Sequence, residues 1–191
     1  MRCISCHRLS KEIVCSSCDE KLFKVNISKR RVANMEVISL FKYKNIEQFL
    51  LTKHTSIGYR VYRYFSRNFI APLIHKYVDA SATKVHIIPI DESVSSGYSH
   101  TALLAHGIDT PLGIVYHAKL LATNRVNYAG KPLQFRLDNP RGFVYTGIPN
   151  IDAIIVDDII TTGITLQEAE IELSRHGVNV LFALTLADAR D

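Results

Sequence analysis

An apolar run that ends in two adjacent carboxylates and then in a hydroxyl-and-glycine turn constrains this chain most. It reads Ala153-Ile-Ile-Val-Asp157-Asp158-Ile-Ile160-Thr161-Thr162-Gly163-Ile164-Thr165. Ile154, Ile155 and Val156 in a row predict a strand buried on both faces, as in a parallel sheet. Past the turn, Leu166, Ala169, Ile171 and Leu173 give a helical pattern that stops before Gly177. The unit is strand, acidic pair, loop, helix.

Such a unit suits a sugar phosphate. Unpaired N–H groups of the loop and first helical turn converge on one spot, where an anion binds. The hydroxyls of Thr161, Thr162 and Thr165 are placed to donate to the same oxygens, and Gly163 allows close approach of the backbone. Asp157 and Asp158 stand at the carboxyl end of the strand, where open α/β sheets bind ligands. Carboxylates repel a phosphate but accept hydrogen bonds from vicinal ribose hydroxyls. A ribose 5-phosphate is therefore expected. The stretch resembles the phosphoribosyl pyrophosphate (PRPP) loop of type I phosphoribosyltransferases, in which an apolar strand, two acidic residues and two apolar residues precede Thr-Thr-Gly-x-Thr.

All four cysteines fall within the first eighteen residues, as Cys3-x-x-Cys6 and Cys15-x-x-Cys18. Each pair forms a knuckle, and two knuckles complete a tetrahedral Zn²⁺ site. A disulfide framework would require an oxidising compartment, and no apolar signal region opens the chain. A redox Cys-x-x-Cys explains one pair and not the other. With four thiolates the site is closed, so the metal is structural, and His7 is a solvated neighbour. Residues 1–24 are too few to bury a core and need the metal to fold. A zinc finger with a basic linker is expected over 1–34 and the main domain over 35–191. No stretch has the length to span a bilayer, and the expected compartment is the cytoplasm.

Charge divides the chain. Residues 1–78 hold 15 basic and 5 acidic side chains, and residues 79–191 hold 8 and 13. A cationic front suggests a polyanionic partner. Lys29, Arg30 and Arg31 form either a linker or a phosphate-contacting edge. Further on, Val61, Phe65 and Phe69 share one side of a helical pattern while Arg60, Arg63 and Arg67 fall on a separate stripe. That stripe fits a solvated face, a nucleic-acid surface with stacking tyrosines, or a lipid-facing helix.

A second buried strand is expected at Lys84–Asp91, followed by the loop Glu92–Gly97 and a helix from about Tyr98 to His106. Leu112–Ala122 reads as the next strand and its exit. Residues 123–142 form a long polar loop carrying Arg125, Lys131, Gln134, Arg136, Asn139 and Arg141, long enough to be a lid or binding loop. The last strand is expected at Asn179–Leu186. Strands alternating with helices give a parallel sheet covered on both faces.

Taken in order, these features resemble the ComF family of competence proteins, specifically its ComFC-type members. The features are a four-cysteine finger, a basic aromatic segment, a strand ending Pro89-Ile90-Asp91, a long basic loop and the PRPP loop. The resemblance implies an α/β type I phosphoribosyltransferase fold with a zinc finger attached. It also implies a role in natural transformation, where incoming single-stranded DNA is handled at the inner membrane with other competence proteins by a peripheral, not transmembrane, protein. In the resemblance, Asp157, Asp158, Ile160, Thr161, Thr162, Gly163, Ile164 and Thr165 match the PRPP loop. Pro89, Ile90 and Asp91 occupy the pyrophosphate loop. Arg136-x-x-Asn139 before Phe143 resembles a family signature, and Lys131 and Arg136 are the flexible-loop candidates for closing over pyrophosphate with its Mg²⁺. The family's Arg-Gly-Phe-Asn appears here as Ser96-Gly97-Tyr98-Ser99, which removes a cation. The DNA-facing candidates are Lys29, Arg30, Arg31, Arg60, Arg63 and Arg67. No residue stands out as a general base. A metabolic phosphoribosyltransferase acting on a nucleobase or small amine is the alternative, and a nucleic-acid adaptor with a vestigial nucleotide fold is a third.

Overall fold

The computed structural model describes residues 1–91, 97–124, 126, 128 and 130–190, and it sets the acidic-pair stretch in the middle of the main sheet. The strands among the described residues are β1 (Ser28–Val32), β2 (Met35–Lys42), β3 (Val85–Pro89), β4 (Gly113–Val115), β5 (Leu120–Ala122), β6 (Phe143–Tyr145), β7 (Asp152–Ile160) and β8 (Asn179–Asp188). The helices are α1 (Ser16–Leu22), α2 (Tyr43–Leu50), α3 (Ser56–Phe65), α4 (Ala71–Asp79), α5 (His100–Ala105), α6 (Leu133–Asp138) and α7 (Ile164–Arg175). A 3₁₀ turn at Leu51–His54 precedes α3, and a π-helical turn at Ser66–Ile70 joins α3 to α4.

Six strands form the main sheet in the order β1-β2-β8-β7-β3-β4. The pairings of β2 with β8, β8 with β7, β7 with β3 and β3 with β4 are parallel, and only the β1–β2 hairpin is antiparallel. The molecule is thus mixed α/β with a mostly parallel central sheet. Strand periodicity sends Ile154 and Val156 to one face, with Ile87, Leu104, Phe65 and Leu184. Ala153 and Ile155 go to the other, with Ile88, Leu166, Ala169 and Leu173 of α7. Both faces are covered, which is why the strands at the centre read as continuous apolar runs.

Three segments differ from the sequence expectation. The basic run expected as a linker or a phosphate-contacting edge is the edge strand β1, paired to β2 from Ser28 opposite Ser39 to Val32 opposite Met35. The Leu112–Ala122 strand is broken in two: β4 joins the main sheet, whereas β5 pairs with β6 in a separate ribbon. The break falls where Ala118 takes a positive φ of 53° and gives its N–H to Asp91 Oδ2 at 2.9 Å. The long polar loop holds helix α6 within it. The expected loop over Glu92–Ser96 and the candidate Arg125 lie outside the described residues.

The N-terminal module is anchored to the core by Phe23. Its ring meets Phe41, Phe49, Tyr64, Phe65 and Phe69 at centroid distances of 4.9–6.2 Å. The Tyr64 hydroxyl donates to Asp19 from α3 across to α1. No helix among the described residues is long and apolar enough to cross a membrane.

Candidate functional site

The loop after β7 ends in Gly163, whose φ of 91° lies in the left-handed region that favours glycine. A Cβ there would sit 2.8 Å from Val32 Cγ2. The glycine is therefore set by the turn and by the end of β1, not only by the approach of an anion. Gln167 N–H is the first to reach back, to the Gly163 carbonyl at 2.9 Å. The N–H groups of the first turn, before Gln167, have no intrahelical acceptor.

Two guanidinium groups close on this loop from opposite ends of the chain. Arg136 Nη1 donates to Thr161 Oγ1 at 2.5 Å, and Arg30 Nη2 donates to the Thr161 carbonyl at 2.6 Å. Arg136 is further held by the carbonyls of Tyr128 and Lys131. Arg30 also pairs with Asp188 at 3.2 Å, and its side chain is 9% exposed. Burial pulls its pKa down while Asp188 opposes the shift. A hydroxyl, a helix N-terminus and the Arg136 guanidinium thus come together at this loop, and a phosphate suits them. Arg30 braces the Thr161 carbonyl from its pair with Asp188.

Asp157 and Asp158 are adjacent on a strand, so their side chains leave on opposite faces. Both are buried. Asp158 Oδ2 receives Lys53 Nζ at 3.0 Å and the Tyr62 hydroxyl at 3.2 Å, with His100 Nε2 at 3.5 Å. Burial raises the Asp158 pKa, but His100, Lys53 and Tyr62 together outweigh it and bring it to about 2. The same pairing and burial push the Tyr62 hydroxyl well above its ordinary value. Of the two carboxylates expected at a ribose diol, Asp158 has its Oδ2 engaged within the protein. That side chain is bound by α3 and the turn before it. Asp157 accepts the Asp158 N–H at 2.8 Å.

Pro89, Ile90 and Asp91 are buried at the end of β3. Asp91 takes Ser99 Oγ at 2.5 Å, Thr101 Oγ1 at 3.2 Å and the Ala118 N–H at 2.9 Å. It fastens the start of α5 and the β4–β5 turn to the sheet. The three side chains of the expected pyrophosphate loop thus face the protein interior, and Glu92–Ser96, which follow them, lie outside the described residues. Lys131 Nζ lies over the Phe135 ring at 5.2 Å.

Cys3, Cys6, Cys15 and Cys18 have their sulfurs within 4.8 Å of one another. A tetrahedral zinc with about 2.3 Å bonds needs sulfurs about 3.8 Å apart, and Cys6 and Cys15 stand at 3.7 Å. The donor set and spacing fit a metal such as zinc. Burial raises the Cys3 pKa, but N–H groups of Cys6, Cys15 and Ser5 outweigh it and bring the thiol to about 6, favouring the thiolate a metal needs. His7 is exposed beside this cluster and not part of it.

The six basic candidates separate into two groups. Arg60, Arg63 and Arg67 line one groove of about 600 Å³ beside the metal module. Lys29 pairs with Glu36 at 3.0 Å on the sheet edge. Arg30 is half-buried, because the alternation of β1 turns it inward while Lys29 and Arg31 face away. Tyr62 and Tyr64, two of the tyrosines expected as exposed stacking rings, are instead buried. Lys53, His100 and Asp188 carry no such expectation; Asp188 has a signal, since it closes an apolar strand, and the other two have none.

No protein-family model matches the chain, and no curated protein matches it. Among solved structures the chain is similar to a hypoxanthine phosphoribosyltransferase from Staphylococcus aureus, at 21% identity over 66% of this chain and 62% of that one, with a TM-score of 0.41. The chain therefore spans a little under two thirds of that enzyme's length. It is also similar to an orotate phosphoribosyltransferase from Mycobacterium tuberculosis, at 11% identity over 88% and 81%, TM-score 0.41. An adenine phosphoribosyltransferase matches at 12% identity over 88% of each chain, TM-score 0.43.

Proposed function

We propose that the chain binds PRPP at the β7–α7 loop and is a phosphoribosyltransferase-like protein that handles single-stranded DNA in natural transformation. The observation that carries the first part is the convergence of Arg136 and Arg30 on Thr161 at the mouth of α7. A 5-phosphate settles on the Thr161 and Thr162 hydroxyls and the first N–H groups of the helix, and Arg136 neutralises its charge. Asp157, on the face not claimed by Lys53, accepts from the ribose hydroxyls. Asp158 holds the loop to the helices that roof it.

If transfer occurs, the C1–pyrophosphate bond breaks as the ring becomes cationic, and a nitrogen nucleophile adds from the opposite face. The chain positions the sugar and stabilises charge. Mg²⁺ arriving with PRPP would neutralise charge on the leaving group. The DNA reading is supported by Arg60, Arg63 and Arg67 lining one groove and by the resemblance of the whole chain to ComFC-type proteins.

Calorimetric titration of the magnesium salt of PRPP into metal-loaded protein tests the first part. A saturable heat is expected, weakened about tenfold or more in Asp157→Asn through loss of a charged hydrogen bond. Absence of any heat in the unaltered protein refutes it. Turnover of PRPP with a free base, without single-strand binding, would favour the metabolic alternative.

A further inference from the structure

The groove beside the metal module is walled by that module, by the α3–α4 stretch and by the turn after α5 at His106 and Gly107. Met1, Glu12 and Ile13 come from the cysteine module; Tyr59, Arg60, Arg63 and Tyr64 come from α3, Ser66 and Arg67 from the π turn, and His75 from α4. None of its lining belongs to the β7–α7 loop. Helix α3 stands between the two places, with Tyr62 bonded to Asp158 on one side and Arg60 and Arg63 in the groove on the other.

Its chemistry is cationic and aromatic. Arg63 lies over the Tyr59 ring at 5.7 Å, and Tyr59 is 40% exposed. Arg67 is held by Glu12 at 2.6 Å, both side chains more than half exposed. The π turn that carries Arg67 widens the helix at this point, an irregularity frequent at functional sites. His75 Nε2 is buried and without a hydrogen-bond partner at the groove wall. A volume of about 600 Å³ is within the range of small-ligand sites.

We propose that this groove is a seat for one or two nucleotides of a single strand, and that the folded metal module is one of its walls. Phosphates lie on Arg60 and Arg63, a base rests against Tyr59, and Arg67 joins once it leaves Glu12. Glu12 acts as a competing anion that holds Arg67 back. This rests on the DNA-handling reading above and adds to it a location, a metal requirement and an internal competitor.

The probe is fluorescein-labelled oligodeoxythymidylate, followed by anisotropy on the full metal-loaded chain. The double substitution Arg60→Ala/Arg63→Ala is expected to weaken binding about tenfold or more and to flatten the salt slope by between about one and two. PRPP heat in the same variant stays unchanged, which shows that it is folded. Glu12→Gln is expected to tighten binding about two- to fivefold by freeing Arg67, a gain that a damaged fold does not produce. Chelation should abolish oligonucleotide binding while PRPP still titrates. Binding that ignores the double substitution, or a Glu12→Gln variant that binds no better, overturns the groove as the seat. Binding that survives chelation overturns the metal-built wall. Loss of binding to anionic vesicles but not to the oligonucleotide would assign the groove to lipid and overturn the proposal. If the unaltered chain binds no oligonucleotide at all, the DNA reading itself falls with it, whereas PRPP binding is unaffected by any of these results.

Discussion

Lys53 Nζ and Asp158 Oδ2 lie 3.0 Å apart across 105 residues of chain. The pair joins the turn before α3 to the end of β7, and Tyr62 adds a second bond from α3 to the same oxygen. The roof of the cleft is thereby tied to the loop beneath it. Asp158 is buried, while the Lys53 side chain keeps 31% of its exposure, so the anion depends on the pair more than the cation does.

Asp158→Asn leaves Lys53 without its carboxylate and is expected to cost about 1–3 kcal/mol, less than a fully buried pair because Lys53 reaches water. Tyr62→Phe should cost about 1 kcal/mol. Urea unfolding at neutral pH measures both. The folded Asp158 pKa is depressed, so its contribution is complete above the ordinary value of 3.8 and is lost as pH falls towards about 2. The difference between the parent and Asp158→Asn should shrink over that window; a difference constant from pH 5 to pH 2 would contradict the assignment.

Gly163→Ala meets two obstacles, a φ of 91° and Val32 Cγ2 at 2.8 Å. The backbone part is about 1–2 kcal/mol. Adding Val32→Ala should relieve the contact and leave the backbone part, giving a coupling of about 0.5 kcal/mol or more in a double-mutant cycle. Strict additivity would mean that Val32 does not touch the added methyl.

Arg136→Ala removes the guanidinium from Thr161 and should weaken PRPP about tenfold or more, the size of a charge-assisted hydrogen bond. Arg136→Lys should recover little, since Arg136 uses Nε and both terminal nitrogens at once. Calorimetry against the unaltered protein reads both, and full recovery by lysine would argue for a simple charge effect.

Metal removal should release one zinc per chain and expose four titratable thiols. Because Phe23 anchors the module in the aromatic cluster, Phe23→Ala is expected to cost about 3–5 kcal/mol and to speed metal loss. Thiol titration beside thermal unfolding checks this; a module that loses zinc with no change in the melting of the rest would show the two are uncoupled.

Much of the architecture was legible in the chain because its signals are local. Ile154–Val156 announced a strand buried on both faces, Gly177 ended α7, and two Cys-x-x-Cys pairs placed four sulfurs together. Strand β2 carries an inward alternation of Met35, Val37 and Ser39, which the cations and aromatics that follow it mask in the sequence. Helix α6 was hidden in a polar stretch whose six residues bury no side chain.

The amino-acid order by itself determined the loop, the metal knuckles and the parallel core, each a pattern repeated within a few residues. It left open which cation meets which anion. Arg30 reaches Asp188 across 158 residues and Lys53 reaches Asp158 across 105. Neither pairing is between neighbours in the sheet. In the order β1-β2-β8-β7-β3-β4, two strands stand between β1 and β7, so the long Arg30 side chain spans that gap. Lys53 comes from the 3₁₀ turn before α3. Whether a basic residue is a surface contact or a buried clamp is decided by the sheet edge it lands on and the face to which the strand turns it, and spacing along the chain carries no record of either.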